Sequence, residues 1–162
     1  MNNKKQTLIA FALIAMAATT IAYAQLLTGT FTVTTEEAVS ISPITDTFAA
    51  RSSGNETYSN VIAINFTKGG FVAGDKVTVA VELVVTDPTI YSGFLSLVIE
   101  VVDSGGNVKA TLTKNEPYAD FALTLSSLTT QYYSVKIIYQ TGDTVLTNVT
   151  MKLSASVKAV LS

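Results

Sequence analysis

Cysteine and histidine are both absent from this chain of 162 residues, and only 14% of its residues are charged. Without cysteine no disulfide can form, so the fold has to be held by packing alone. The two absences also remove the commonest metal ligands and the usual general base, which excludes ordinary zinc or copper sites and serine or cysteine triads. We therefore expect no metal, no other cofactor and no enzymatic activity.

Paired carboxylates would be the remaining route to catalysis, as in a secreted glycosidase. The acidic residues lie almost entirely in predicted turns or at strand ends, where they favour turn formation and solubility. The turn 103–107 offers oxygen ligands but lacks the spacing and the closing glutamate of an EF-hand calcium loop. Both glycine pairs lie between predicted strands rather than before a helix, so neither is a phosphate loop. A secreted hydrolase is the least favoured interpretation.

The first 24 residues are typical of a secretory signal peptide. Two lysines precede an apolar run from Leu8 to Ala22, and small residues flank a predicted cut between Ala24 and Gln25. The alternative is a prepilin leader cut before Thr7, which would leave the apolar run as the N-terminal helix of a type IV pilin. A β pattern begins directly after Ala24, which favours the signal peptide. Cleavage there predicts an extracellular protein with no membrane contact after processing.

The charge balance becomes more acidic once this leader is removed. Cleavage takes two of the ten basic residues and none of the twelve acidic ones, so the net charge changes from −2 to −4. A chain with this balance and no basic cluster is not expected to bind nucleic acid. What remains is long enough to bury one sandwich core but not two.

The rest of the chain alternates apolar and polar residues with the period of two that is typical of strands. Apolar residues that we predict to face inward include Leu95 and Val145, and the polar stretch from Thr45 to Tyr58 is predicted as a surface loop. After the N-terminal region, the predicted strands are 59–67, 76–86, 94–102, 108–113, 119–125, 132–140 and 145–159. This pattern predicts an all-β domain over residues 37–162, an antiparallel β-sandwich of the jelly-roll or immunoglobulin-like Greek-key type.

Residues 25–36 would form a strand at the new N-terminus, and its two faces differ sharply. One face carries Leu27, Gly29, Phe31 and Val33, and the other carries only threonine from Thr28 to Thr34. The apolar face requires a hydrophobic groove. Such a strand either completes the sheet of its own subunit or is donated to a neighbour, and the sequence leaves both arrangements open.

Three Asn-x-Thr sequons are candidate N-glycosylation sites in a host with the required enzymes. Asn55 lies in the predicted loop, whereas Asn65 and Asn148 lie on predicted strands and face outward. Glycans attached there would be sterically tolerated.

Two short motifs resemble the TasA and camelysin group. The segment from Thr28 to Val33 is similar to the Ser-Gly-Thr-Leu-x-Leu pattern that opens the mature proteins of that group. The segment from Ala73 to Thr78 resembles their Pro-Gly-Asp-x-Val turn, with Ala73 where proline is usual. The resemblance is greatest to the subunits of archaeal bundling pili. It implies a β-sandwich that polymerises by inserting its N-terminal strand into a groove of the next subunit.

These observations predict a structural subunit of an extracellular filament at the cell surface. Its main partner is a further copy of itself, through a donor strand formed by Leu27, Gly29, Phe31 and Val33 and through lateral bundling in a biofilm or in cell adhesion. Glycans are the second predicted class of partner. The protease activity described for camelysins is not implied, because histidine is absent. The alternative function is a monomeric cell-surface binding module for sugars or proteins.

Overall fold

The computed structural model describes residues 38–84 and 91–160, so the predicted leader and the predicted N-terminal strand lie outside the described residues. Alternating apolar residues form nine strands in these two ranges. They are β1 (Val39–Ile41), β2 (Ile44–Phe48), β3 (Ser53–Asn65), β4 (Lys76–Val84), β5 (Phe94–Val102), β6 (Val108–Thr113), β7 (Tyr118–Thr124), β8 (Thr130–Thr141) and β9 (Leu146–Ala159).

The strands form two antiparallel sheets that pack together as a β-sandwich. One sheet has five strands in the order β1-β3-β8-β5-β6, and the other has four in the order β2-β9-β4-β7. Every strand pair in both sheets is antiparallel. The predicted all-β sandwich class is confirmed.

The core lies between the two sheets and follows the predicted alternation over most strands. Val79 and Val81 of β4 face Val135 and Ile137 of β8, and all are fully buried. Phe48 of β2 fills one end of the core. Its ring packs edge-on against Phe94, with centroids 5.1 Å apart, and against Tyr139 at 4.7 Å. Among the described residues, no buried side-chain nitrogen or oxygen lacks a hydrogen-bond partner.

The predicted surface loop from Thr45 to Tyr58 is wrong, because this stretch contributes to two strands. β2 is anchored by the buried side chains of Ile44 and Phe48, and β3 pairs with β8 from Ser53 onward. Gly54 lies directly against Tyr139, where an added Cβ atom would come within 2.6 Å of the tyrosine hydroxyl oxygen. Cross-strand packing on an aromatic ring thus stabilises a segment whose small polar residues, taken alone, suggest a loop.

Two residues predicted to face inward, Leu95 and Val145, are instead 63% and 57% exposed. A bulge in β5 shifts its register with β8 next to Phe94, which takes the buried position. Asn148 of β9 adopts a left-handed φ of 52° near a second register shift, and Leu146 packs against the core in place of Val145. Each irregularity moves the alternation by one residue, which a strict period of two cannot anticipate.

Candidate functional site

β9 has two halves with different partners. Its first half pairs with β2, from Leu146 opposite Phe48 to Met151 opposite Ile44. Its second half, from Lys152 to Ala159, pairs with β4 on the opposite side. No other strand within 38–84 and 91–160 pairs with the side of this second half that β2 occupies further upstream. Among the described strands, the second half of β9 therefore forms a sheet edge in the middle of the sandwich.

The register shows which backbone groups this edge presents. The N–H of Val160 donates to the carbonyl oxygen of Lys76 over 2.8 Å, so even-numbered residues of this half direct their backbone groups toward β4. In an antiparallel ladder the direction alternates from one residue to the next. The odd-numbered residues therefore direct their N–H and C=O groups away from β4. We call this side, formed by Leu153, Ala155, Val157 and Ala159, the open β9 edge.

Hydrocarbon side chains line the open β9 edge. Leu153 and Val157 point into the core and are 9% and 4% exposed, and Ala155 packs against the same core. β1 contacts β9 across the sandwich, and its partly buried Val39 and Ile41 extend the apolar surface. The two alanines are small enough to let another backbone approach. The edge can therefore accept a strand with one apolar face.

The outer edges of β3, β6 and β7 are less suited to strand pairing. The N–H of Thr141 donates to the carbonyl of Ser52 over 2.8 Å, so alternation turns the backbone groups of Ser53, Asn55 and Thr57 outward from β3. Their side chains are polar and exposed, and a register shift next to Asn60 ends the regular edge. β6 and β7 have six and seven residues, and each carries one charged residue, Lys109 or Asp120. The open β9 edge has no register shift along its pairing with β4, and its two lysines, Lys152 and Lys158, are even-numbered residues whose backbone groups belong to the ladder with β4.

A tyrosine links the two sheets beside β2. The hydroxyl of Tyr58 on β3 hydrogen-bonds to a carboxylate oxygen of Asp46 on β2 and to Glu56 Oε2 over 2.8 Å. Burial raises the pKa of Tyr58, and both carboxylates add to this effect. The hydrogen bond from Tyr58 lowers the pKa of Asp46. This contact connects β2 to the opposite sheet. It thereby holds in place the strand that pairs with the first half of β9, next to the open β9 edge.

The buried side chain of Tyr133 should lower the free energy of unfolding as the pH becomes alkaline. Burial, assisted by the negative charge of Asp103, raises the pKa of Tyr133 to about 12. An unfolded tyrosine ionises near pH 10, so the contribution of Tyr133 is complete below pH 10 and is lost between about pH 10 and 12. In denaturant titrations, Tyr133→Phe should remove about 1 to 2 kcal/mol of this pH-dependent loss. Tyr132→Phe, at a 52% exposed neighbour, is the control and should keep the wild-type slope. Equal slopes for both variants would contradict the assignment.

The cut between Ala24 and Gln25 and the donor-strand residues Leu27, Gly29, Phe31 and Val33 lie outside the described residues. The open β9 edge was not predicted from the sequence. Its signal was the length of the last alternating segment, because 145–159 is longer than a single partner strand of ordinary length can cover.

The three sequon asparagines are all on or next to strands. Asn55 is exposed on β3, not in a loop as predicted. Asn65 is half-buried at the end of β3, and its Oδ1 accepts hydrogen bonds from the N–H and the hydroxyl of Thr67, at 3.0 and 2.6 Å. Asn148 is exposed in the irregular part of β9. Glycosylation at these positions stays a prediction.

Asp46 and Glu56 are two carboxylates that meet at the hydroxyl of Tyr58. Among the residues that the structure describes, no group of three or more His, Cys, Asp or Glu side chains could hold a metal ion. No helix in the same ranges has the length and apolar character needed to cross a membrane.

Comparison with models of known protein families gives no match, and no curated protein matches the chain either. The similarity to the TasA and camelysin group therefore rests on the two motifs near Thr28 and Ala73.

Proposed function

We propose that this protein is the structural subunit of an extracellular filament and that it polymerises by donor-strand complementation. The N-terminal strand of one copy, residues 25–36, pairs with the open β9 edge of the next copy. The observation that carries this proposal is the apolar edge from Leu153 to Ala159, which has no partner among the described strands. The predicted donor face from Leu27 to Val33 has the same length as that edge.

The donor and the edge are complementary in chemistry. In the proposed complex, the side chains of Leu27, Phe31 and Val33 enter the groove beside Leu153 and Val157, and the threonine face is turned to solvent. Burial of each large apolar side chain contributes about 1.5 to 3 kcal/mol, and each ladder hydrogen bond about 0.5 to 1.5 kcal/mol. Together these terms are of the size needed to offset an association cost of about 4 to 15 kcal/mol.

The strand order supports a jelly roll as the finer description of the fold. Its two four-stranded parts, β2-β9-β4-β7 and β3-β8-β5-β6, have the order of two interleaved Greek keys, and β1 is an additional edge strand. A donated strand would lie on the same side of β9 as β2 and would pair with the second half of β9, where β2 has ended. Donor and acceptor are different surfaces, so the contact is heterologous and propagates into an open filament unless the rotation between subunits closes a ring.

Lateral bundling is proposed through the outer face of the four-stranded sheet. Hydroxyl side chains dominate this face, as at Thr45 and Thr150, whose oxygens are 3.1 Å apart. Exposed Lys152 and Lys158 lie on β9, Lys76 and Glu82 lie on β4, and Asp120 lies on β7. A face that carries separate charges of both signs can form ion pairs with a second copy turned by half a rotation.

Removal of residues 25–36 provides the direct test. We expect the processed chain from Gln25 to form filaments in negative-stain electron microscopy and sedimentation, and the chain lacking 25–36 to stay soluble and monomeric. A synthetic peptide of residues 25–36 should bind the shortened chain and stop the growth of full-length filaments. The matched control is a peptide with Phe31→Asp, which keeps the length and the threonine face.

Two results would contradict the proposal. Filaments of unchanged form from the shortened chain would exclude residues 25–36 as donor. Monomers from both chains at every concentration would indicate that the N-terminal strand pairs within its own subunit, or that the protein is a monomeric binding module.

A further inference from the structure

A second feature of the sandwich is unrelated to the open β9 edge. A cleft of about 420 Å³ lies against β7, the start of β8 and the turn between β5 and β6. Its volume is within the range of about 300 to 1,000 Å³ that is typical of small-molecule sites. Phe121 and Tyr133 form part of its wall; they are 9% and 3% exposed, and their ring centroids are 5.3 Å apart. Tyr132, which is 52% exposed, is the accessible aromatic residue among those that line the cleft.

Polar groups in this cleft are held in fixed orientations by neighbouring side chains. The hydroxyl of Tyr133 donates to Gln131 Oε1 over 2.8 Å, so the amide nitrogen of Gln131 keeps its two hydrogens for another acceptor. Lys109 Nζ lies 3.0 Å from Asp103 Oδ2. The other oxygen of that carboxylate accepts the backbone N–H groups of Gly105 and Asn107, each at 2.9 Å. Groups fixed in this way lose little freedom when a ligand binds.

Asn60 is a further polar residue that lines the cleft, and its backbone conformation is unusual. It has a φ of 54° and lies within the irregular stretch of β3 between Tyr58 and Ile62. A left-handed conformation is uncommon for a residue other than glycine and has an energetic cost. Bulges of this type redirect side chains next to binding sites. At this position the bulge brings an exposed amide to the cleft.

The charges and the rings together define the class of ligand. Asp103 and Lys109 are the charged residues that line the cleft, and they neutralise each other, so neither an anionic nor a cationic ligand is favoured. An apolar ligand would leave the amides of Asn60 and Gln131 without partners. A ligand with a ring of hydroxyl groups and an apolar C–H face satisfies both the amides and the exposed ring of Tyr132. We propose that this cleft binds a neutral oligosaccharide.

Isothermal titration with maltotriose, cellotriose, chitotriose and mannotriose tests the proposal on the processed full chain. At least one of them should bind at concentrations up to about 10 mM. Gln131→Ala and Tyr132→Ala should each weaken that binding at least about tenfold. Tyr118→Ala is the matched control, because Tyr118 is a tyrosine on β7 with 57% exposure that does not line the cleft, and it should bind as the wild type does.

The outcomes are distinct from those of the filament experiment. Lack of heat and of saturation-transfer signals with all four sugars would overturn the proposal, and so would binding that both cleft variants retain. Circular dichroism of each variant verifies that the fold persists.

The sugar could come from a matrix polysaccharide or from a glycan on a second copy. The bound trisaccharide, added in excess, should dissolve filament bundles of the glycosylated protein only in the second case. Filament growth itself should be unchanged in every cleft variant.

Discussion

Replacement of Ala155 by proline should abolish filaments while the sandwich stays folded. Proline removes the N–H group that Ala155 directs to the open β9 edge, and its ring occupies the space of an incoming strand. The ladder to β4 is unaffected, because the neighbouring even-numbered residues supply its hydrogen bonds. We expect a loss of about 1 kcal/mol or less in the free energy of unfolding of the monomer, together with complete loss of polymer in sedimentation assays.

Ser156→Pro is the matched control for this substitution, since it lies one position further along the same strand. Its N–H is directed to Ala80 of β4, so proline leaves a carbonyl of β4 without its partner. That loss alone costs about 1 to 3 kcal/mol, and the proline ring also clashes with β4. We therefore expect Ser156→Pro to destabilise the monomer and Ala155→Pro to spare it.

The same pair of variants distinguishes donation from pairing within one subunit. If residues 25–36 occupied the edge of their own chain, Ala155→Pro would destabilise even a dilute monomer as much as deletion of 25–36 does. If the strand is donated, the effect of Ala155→Pro grows with protein concentration and vanishes on dilution. If the Ala155→Pro variant formed filaments as long as those of the wild type, the open β9 edge would be excluded as the acceptor.

The alternation of apolar and polar residues was sufficient to predict the β-sandwich. The open β9 edge could be located only once it was known which strands pair with β9. The segment from Val77 to Leu83 has one apolar face, and that face is buried as predicted. The partner of β9 changes from β2 to β4 after Met151, although its residue pattern continues without a break. A change of partner depends on strands that are distant in sequence. The length of the segment indicates that β9 needs more than one partner, but the local pattern does not show where one partner ends and the open β9 edge begins.

The same limit explains the errors at β2, β3, β5 and β9. Tertiary contact with Tyr139 makes a strand of the glycine-containing start of β3. The bulges next to Phe94 and Asn148 shift the inward-facing positions by one residue. The hydrogen bond from Tyr133 to Gln131 joins two residues of β8. Gln131 and Lys109 line the same cleft because β5 pairs with β8 on one side and with β6 on the other. Each of these features arises from contacts between strands.

Phe48→Ala should be the most destabilising single substitution in β2. Phe48 is 1% exposed and contacts the rings of Phe94 and Tyr139. Truncation of a buried phenylalanine to alanine typically costs about 3 to 5 kcal/mol. Denaturant titrations should give a loss in this range for Phe48→Ala, and a change within about 0.5 kcal/mol for Tyr118→Ala, whose ring is mostly exposed.

The consequence for assembly follows from the position of β2. Phe48 and Ile44 anchor the strand that covers the first half of β9, so loss of the Phe48 ring loosens β2 and lengthens the exposed edge from Ala159 back to Leu146. A longer unprotected edge accepts strands in several registers. Phe48→Ala should therefore form irregular aggregates instead of ordered filaments, and this change should be visible by electron microscopy. Ordered filaments from a Phe48→Ala variant that has lost the expected stability would show that β2 does not limit the edge.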